Sequence, residues 1–97
     1  MEEIRFGWDA RKAAGNLRKH KVSFDEAATV FYDEKAIEYF DPDHSEDEDR
    51  FLLLGLSWRL RVVVVCYCIR SHGYQIRIIS ARKATRNETK VYTGAAK

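Results

Sequence analysis

The side chains best suited to chemistry gather where the β-type run Gln75-Ile76-Arg77-Ile78-Ile79-Ser80-Ala81 ends in Arg82-Lys83 and is followed by Thr85-Arg86-Asn87-Glu88. Thr with Glu three residues later is a capping box, in which each side chain satisfies the other's free backbone N–H, so a helix opens there. A helix N-terminus offers unpaired N–H groups and partial positive charge. With Arg82, Lys83 and Arg86 beside it, the junction forms an anion site suited to phosphate; the plain alternative is that these cations only solvate a strand end. Arg70 stands just before Ser71-His72-Gly73, and if that turn closes a hairpin, Arg70 and Arg77 share a sheet edge. Strand alternation groups Ile76, Ile78, Ser80 and Arg82 on one face and Arg77, Ile79, Ala81 and Lys83 on the other, which ranks Arg82 above Arg77.

For proton transfer near neutrality the most suitable residue type is histidine. His20 closes a predicted helix, where it is a candidate base or, alternatively, a cation completing the helix C-terminus. His44 and His72 fall in loops and rank lower. Lys12 and Lys19 belong to a second basic stretch with Arg11, Arg18 and Lys21. The acidic run Asp41, Asp43, Glu46, Asp47, Glu48 and Asp49 departs from the spacing of a calcium loop and reads as a solvated loop or a dock for basic residues of a partner. The chain has no Gly-rich phosphate cradle, no spaced Cys/His zinc ligands and no Ser or Cys nucleophile signature, so no metal and no cofactor is expected. Cys66 and Cys68 point the same way along one strand, too far apart for a disulfide, and read as core thiols.

These residues need a scaffold, and 97 residues with 45% hydrophobic content suffice for one core and not two. Residues 4–8 look extended. Asp9 caps a helix over residues 10–20 with Ala10, Ala13, Ala14 and Leu17 as its apolar stripe, leaving a basic outer face. Ser23-Phe24-Asp25-Glu26 is a further capping box, and Phe24, Ala27, Ala28 and Phe31 form the buried stripe of a helix ending near Asp33. Residues 36–40, 50–56, 60–69 and 75–81 are β-type, with connections short enough for antiparallel hairpins. The expectation is an α+β fold, order β-α-α-β-β-β-β-α: a small antiparallel sheet with two N-terminal helices and a C-terminal helix. Residues 1–93 form a single domain and 94–97 a frayed tail. The formal net charge is only +2, yet both ends of the chain are basic and the middle is acidic. The longest apolar run, residues 62–69, is too short to cross a membrane, and Met1-Glu2-Glu3 lacks a signal peptide's basic start, so a cytoplasmic location is expected.

Nearly the whole chain resembles the BrnT toxin family. Trp8-Asp9-x-x-Lys12-x-x-x-Asn16-x-x-Lys19-His20-x-Val22-Ser23-Phe24-x-Glu26-Ala27 is similar to that family's opening. Asp41-Pro42-x-His44-Ser45 and Glu48-x-Arg50 resemble its middle, and Arg77-Ile78-Ile79-Ser80-Ala81-Arg82-Lys83-Ala84-Thr85 its most specific signature. The resemblance implies a RelE-like fold and a ribonuclease that arrests translation. It also implies neutralisation by a BrnA-type antitoxin, which alone contacts the operator DNA. Two stretches depart from the pattern: Lys21 stands where glycine is frequent, and Cys66-Tyr67-Cys68-Ile69-Arg70 replaces a frequent His-Thr-Glu-Arg, keeping the arginine and losing the acid.

The candidate catalytic residues are therefore His20, Arg70, Arg82 and Lys83, for metal-free cleavage in which His20 or Lys83 takes the ribose 2′-OH proton and the arginines stabilise charge on the phosphate. Lys12, Lys19, Arg77 and Arg86 are candidate RNA-backbone contacts. Trp8, Tyr67 and Tyr74 could stack on bases or pack in the core. Two other readings use the same cations: an RNA- or ribosome-binding module that cuts nothing, and a subunit that only recognises its antitoxin. The RNA target, any need for the ribosome and the oligomeric state are open at this level.

Overall fold

The structure, a computed structural model, describes residues 4–41, 48–70 and 75–94. Strand β1 (Arg5–Gly7) leads into helix α1 (Ala10–His20), whose N-cap Asp9 accepts the Lys12 backbone N–H at 3.0 Å. Helix α2 (Phe24–Thr29) is capped by the Ser23 hydroxyl and runs on into a single 3-10 turn at Val30–Tyr32. Strands β2 (Ile37–Asp41), β3 (Arg50–Leu56), β4 (Val62–Arg70) and β5 (Gln75–Lys83) precede helix α3 (Arg86–Thr93). Thr85 and Glu88 form the complete capping box expected of α3.

The α+β order holds, but the sheet is mixed. Its strand order is β1-β5-β4-β3-β2, and β1 pairs parallel with β5 while the other pairs are antiparallel. The expectation of a wholly antiparallel sheet fails at β1, because two helices separate it from the later strands and such a crossover permits parallel pairing. The turn read at Ser71-His72-Gly73 lies outside the described residues, as do residues 42–47 of the acidic loop that begins at Asp41. The β3–β4 turn is as tight as expected, with the Leu60 N–H donating to the Ser57 carbonyl at 2.9 Å.

One face of the sheet carries the core. Val22, Phe24, Ala27 and Val30 pack on Leu53, Val63, Val65, Tyr67, Ile76, Ile78 and Ala81, which buries the stripe read for α2. The stripe read for α1 is corrected: Leu17 is half exposed, and the buried residue is Asn16. Beyond the end of β1, the Asn16 amide completes the edge of β5. Its Nδ2 donates to the Ala81 carbonyl at 2.8 Å and to the Val22 carbonyl at 3.0 Å, and its Oδ1 accepts the Ala81 N–H at 3.1 Å. A buried polar side chain is tolerated when its partners are all met.

Lys21 ends α1 at φ 61°, ψ 28°, and its backbone N–H caps the Leu17 carbonyl. A Cβ is disfavoured in that left-handed conformation, which explains why glycine suits the position. Lys21→Gly is expected to stabilise the fold by about 0.5–1 kcal/mol, the left-handed strain relieved less the backbone freedom glycine loses on folding, read as a rise in melting temperature. No helix among the described residues is long and apolar enough to cross a membrane.

Candidate functional site

The second face of the sheet is open except where α3 crosses one end, and its composition follows from a single irregularity. Cys66 pairs with Ser80 and Tyr67 with Ile78, so Ile79 is an extra residue in β5, a β-bulge. A bulge resets the in–out alternation of its strand and re-aims the side chains beyond it. Ile76, Ile78 and Ala81 can therefore all enter the core, while Arg77, Ser80 and Arg82 share the open face. This corrects the alternation expected from sequence, which divided Arg77 from Arg82 and placed Ile76 and Ile78 with Arg82.

Cross-strand register fixes the rest of that face. From the α3 end, successive rows read Ile37-Leu54-Val64-Arg82, then Tyr39-Leu52-Cys66-Ser80, then Asp41-Arg50-Cys68-Arg77, and finally Arg70-Gln75-Arg5. Five arginines thus project from one side of the sheet. Arg82 is held by a two-pronged ion pair to Glu88 of α3, Nη1 to Oε1 at 2.7 Å and Nη2 to Oε2 at 3.0 Å. That pairing, with the Thr85 backbone N–H, pushes the Glu88 carboxyl down to about 2. Arg70 meets Glu48 through one contact, Nη2 to Oε1 at 3.0 Å, and the pair is well exposed. Arg70 and the Cys68 thiol hold the Glu48 carboxyl below its ordinary value. Arg77 is half-buried, and its side chain makes no hydrogen bond among the described residues. The Asp9 carboxylate feels its charge, which sets the start of α1 near it.

The other candidate residues lie elsewhere. Lys83 pairs in register with Val63, on the core-bearing side of the sheet and opposite in direction to Arg82. His20 is half-buried at the end of α1 and makes no side-chain hydrogen bond among the described residues. Lys12 and Lys19 are exposed along α1, and Arg86 is exposed in the first turn of α3. Tyr67 is a core residue, 2% exposed, between Phe31 and Phe51, with its hydroxyl on Glu38. Trp8 packs edge-on against Phe24. Tyr74, His44 and His72 lie outside the described residues.

The sequence reading missed Glu48, Arg5 and Arg50 as members of the open face, and also Tyr39. Tyr39 lines an apolar cleft of about 290 Å³ under α3 with Leu52, Leu54, Val64, Val91 and Glu88. The missed signal was register: Arg50 reaches the face through its pairing with Cys68, and neither composition nor spacing fixes that pairing. Among the described residues no cluster of three His, Cys, Asp or Glu side chains could hold a metal ion.

Fold and site together define a small α+β protein whose open sheet face is lined with arginines, some held by glutamates, in an arrangement chemically suited to an anion. The profile of the family described as ribonuclease toxin, BrnT, of type II toxin-antitoxin system matches residues 8–88, and the chain belongs to that family. A toxin of that type is paired with an antitoxin. The crystal structure of the Brucella abortus ribonuclease toxin BrnT shares the fold, with a TM-score of 0.60 at 20% identity over 89% of this chain and 100% of that one. No curated protein matches the chain.

Proposed function

We propose that this chain is a RelE-like toxin that arrests translation by cutting RNA without a metal ion and is neutralised by a BrnA-type antitoxin. Operator DNA is contacted only through that antitoxin, the site of action is the cytoplasm, and residues 1–93 act as one toxin domain. The observation that carries the reading is the bulge at Ile79, which gathers Arg77 and Arg82 on the face that also bears Arg70. A guanidinium fork matches the oxygens of a phosphodiester, and fixed cations stabilise the extra negative charge that develops as phosphorus is attacked. The ribose 2′-oxygen attacks the adjacent phosphorus and the 5′-oxygen leaves, giving a 2′,3′-cyclic phosphate and a 5′-hydroxyl end. Arg70 holds the attacked phosphate, and Arg77 and Arg82, which follow at successive positions along the same face, hold neighbouring ones. Lys12, Lys19 and Arg86, all exposed, contact the backbone further out. Of the two proton acceptors read from sequence, Lys83 points away from this face and His20 lies on α1, so each would serve only RNA that wraps around the β5 edge.

The test is incubation of purified protein with RNA in excess EDTA. Cut RNA with cyclic phosphate ends is the expected product. Cleavage abolished by EDTA would remove the metal-free reading, and tight binding with no cut ends would favour a module that only occupies RNA.

A further inference from the structure

The structure brings a carboxylate to Arg70 from outside its own strand. Glu48, just before β3, reaches across to β4 and touches Arg70 at 3.0 Å. It also faces the Cys68 thiol, the Arg50 guanidinium lies close enough to act on its charge, and Asp41 and Arg77 complete the same cross-strand row from β2 and β5.

Resting on the ribonuclease reading, we propose that Glu48 is the general base, the group that takes the ribose 2′-OH proton. Three observations set it apart. Glu88, the other glutamate paired with an arginine of this face, has both oxygens engaged, two bonds to Arg82 and one to the Thr85 N–H at 2.8 Å. Asp41 stands two strands away from Arg70, opposite Arg50. Among the described residues Glu48 makes a single-point contact with Arg70, at 37% side-chain exposure. Its other neighbour is the Cys68 thiol, a weak donor that a ligand hydroxyl can displace.

A phosphate bound by other N–H groups of Arg70 sets the neighbouring 2′-OH beside Glu48. The carboxylate accepts that proton as the O2′–P bond forms, and the departing 5′-oxygen takes a proton from water as its bond to phosphorus breaks. The hydroxide left behind accepts the proton of Glu48 and restores the carboxylate. Phosphate binding also draws the field of Arg70 away from Glu48, which raises its basicity when the proton must move.

The experiment compares wild type, Glu48→Gln and Glu48→Asp on an RNA oligonucleotide that wild type cuts, with the 2′-deoxy oligonucleotide as a binding probe. Glu48→Gln is expected to lower kcat by at least about 10²-fold while binding the probe within about threefold of wild type, with Glu48→Asp intermediate. The wild-type kcat/KM profile should stay level from pH 8 to about 5, because the free carboxylate ionises below its ordinary value of 4.5. A kcat/KM falling below about pH 6.5 would assign the proton to a histidine and overturn the proposal. So would Glu48→Gln cleaving within threefold of wild type, or losing probe binding in step with kcat. If wild type cuts no RNA at all, the ribonuclease reading falls first and Glu48 with it.

Discussion

Glu26→Ala is expected to lower stability by about 3–5 kcal/mol, enough to drop the melting temperature of so small a domain by about 12 °C or more. Glu26 is 2% exposed and Ser57 3%. The carboxylate accepts Arg61 Nε at 2.7 Å and Nη2 at 2.6 Å, and the Ser57 hydroxyl at 2.6 Å. Arg61 Nη2 also donates to the Lys21 carbonyl at 2.7 Å. One buried anion thus ties the start of α2, the end of α1 and the β3–β4 turn together. Removing it strands a guanidinium and a hydroxyl whose hydration was given up on folding, which costs more than the intact pair contributes. Glu26→Gln keeps the shape and an acceptor and should cost distinctly less, so thermal denaturation of the two variants separates charge from packing.

The same pair sets an acid limb. Hydrogen bonds from Arg61 and Ser57 hold the Glu26 carboxyl below its ordinary 4.5. A depressed folded-state value means the unfolded chain binds the proton more readily, so this contribution is complete above pH 4.5 and is lost as pH falls through the lower folded value. Between pH 5 and 3 wild type should therefore lose more stability than Glu26→Gln.

Glu26 also shows where a sequence stops being legible. Ser23 with Glu26 reads as a capping box, and half of it forms: the Ser23 hydroxyl accepts the Glu26 N–H at 3.0 Å. The carboxylate turns instead to Arg61, 35 residues away, because a guanidinium is the stronger partner and local spacing carries no information about it. Asn16 in place of Leu17 has the same origin, since its partner is the backbone of Ala81. Period, caps and turn residues are local, and they gave the helices, the strand count and the α+β class. The parallel β1, the bulge at Ile79 and the Glu48–Arg70 contact are long-range pairings. Gly55 is another: a Cβ there would lie 2.8 Å from Val30 Cγ1 and 2.9 Å from Ala36 Cβ. Of the candidate site, residue types were readable at Arg70, Arg77 and Arg82. The face they share was not, because one extra residue in β5 inverts the alternation.

That inversion makes Arg82 the most informative substitution for activity. Arg82→Ala is expected to lower RNA cleavage by on the order of 10²-fold, because losing a backbone anchor misplaces the reacting phosphate, and to relieve growth arrest on inducible expression, with RNA integrity measured in the same cultures. Folding should survive, because the Arg82–Glu88 pair is 40% and 32% exposed and such pairs contribute at most about 1 kcal/mol. Arg82→Lys keeps the charge and loses the planar fork, so it should recover only part of the rate. Glu88→Gln preserves the capping box with Thr85 while removing the anion that occupies the fork. Its cleavage should equal or exceed that of wild type, since phosphate then no longer competes with a carboxylate for the guanidinium. If instead Arg82→Ala retained full cleavage and full growth arrest, the phosphate would have to be held elsewhere on the sheet, by Arg70 and Arg77 alone.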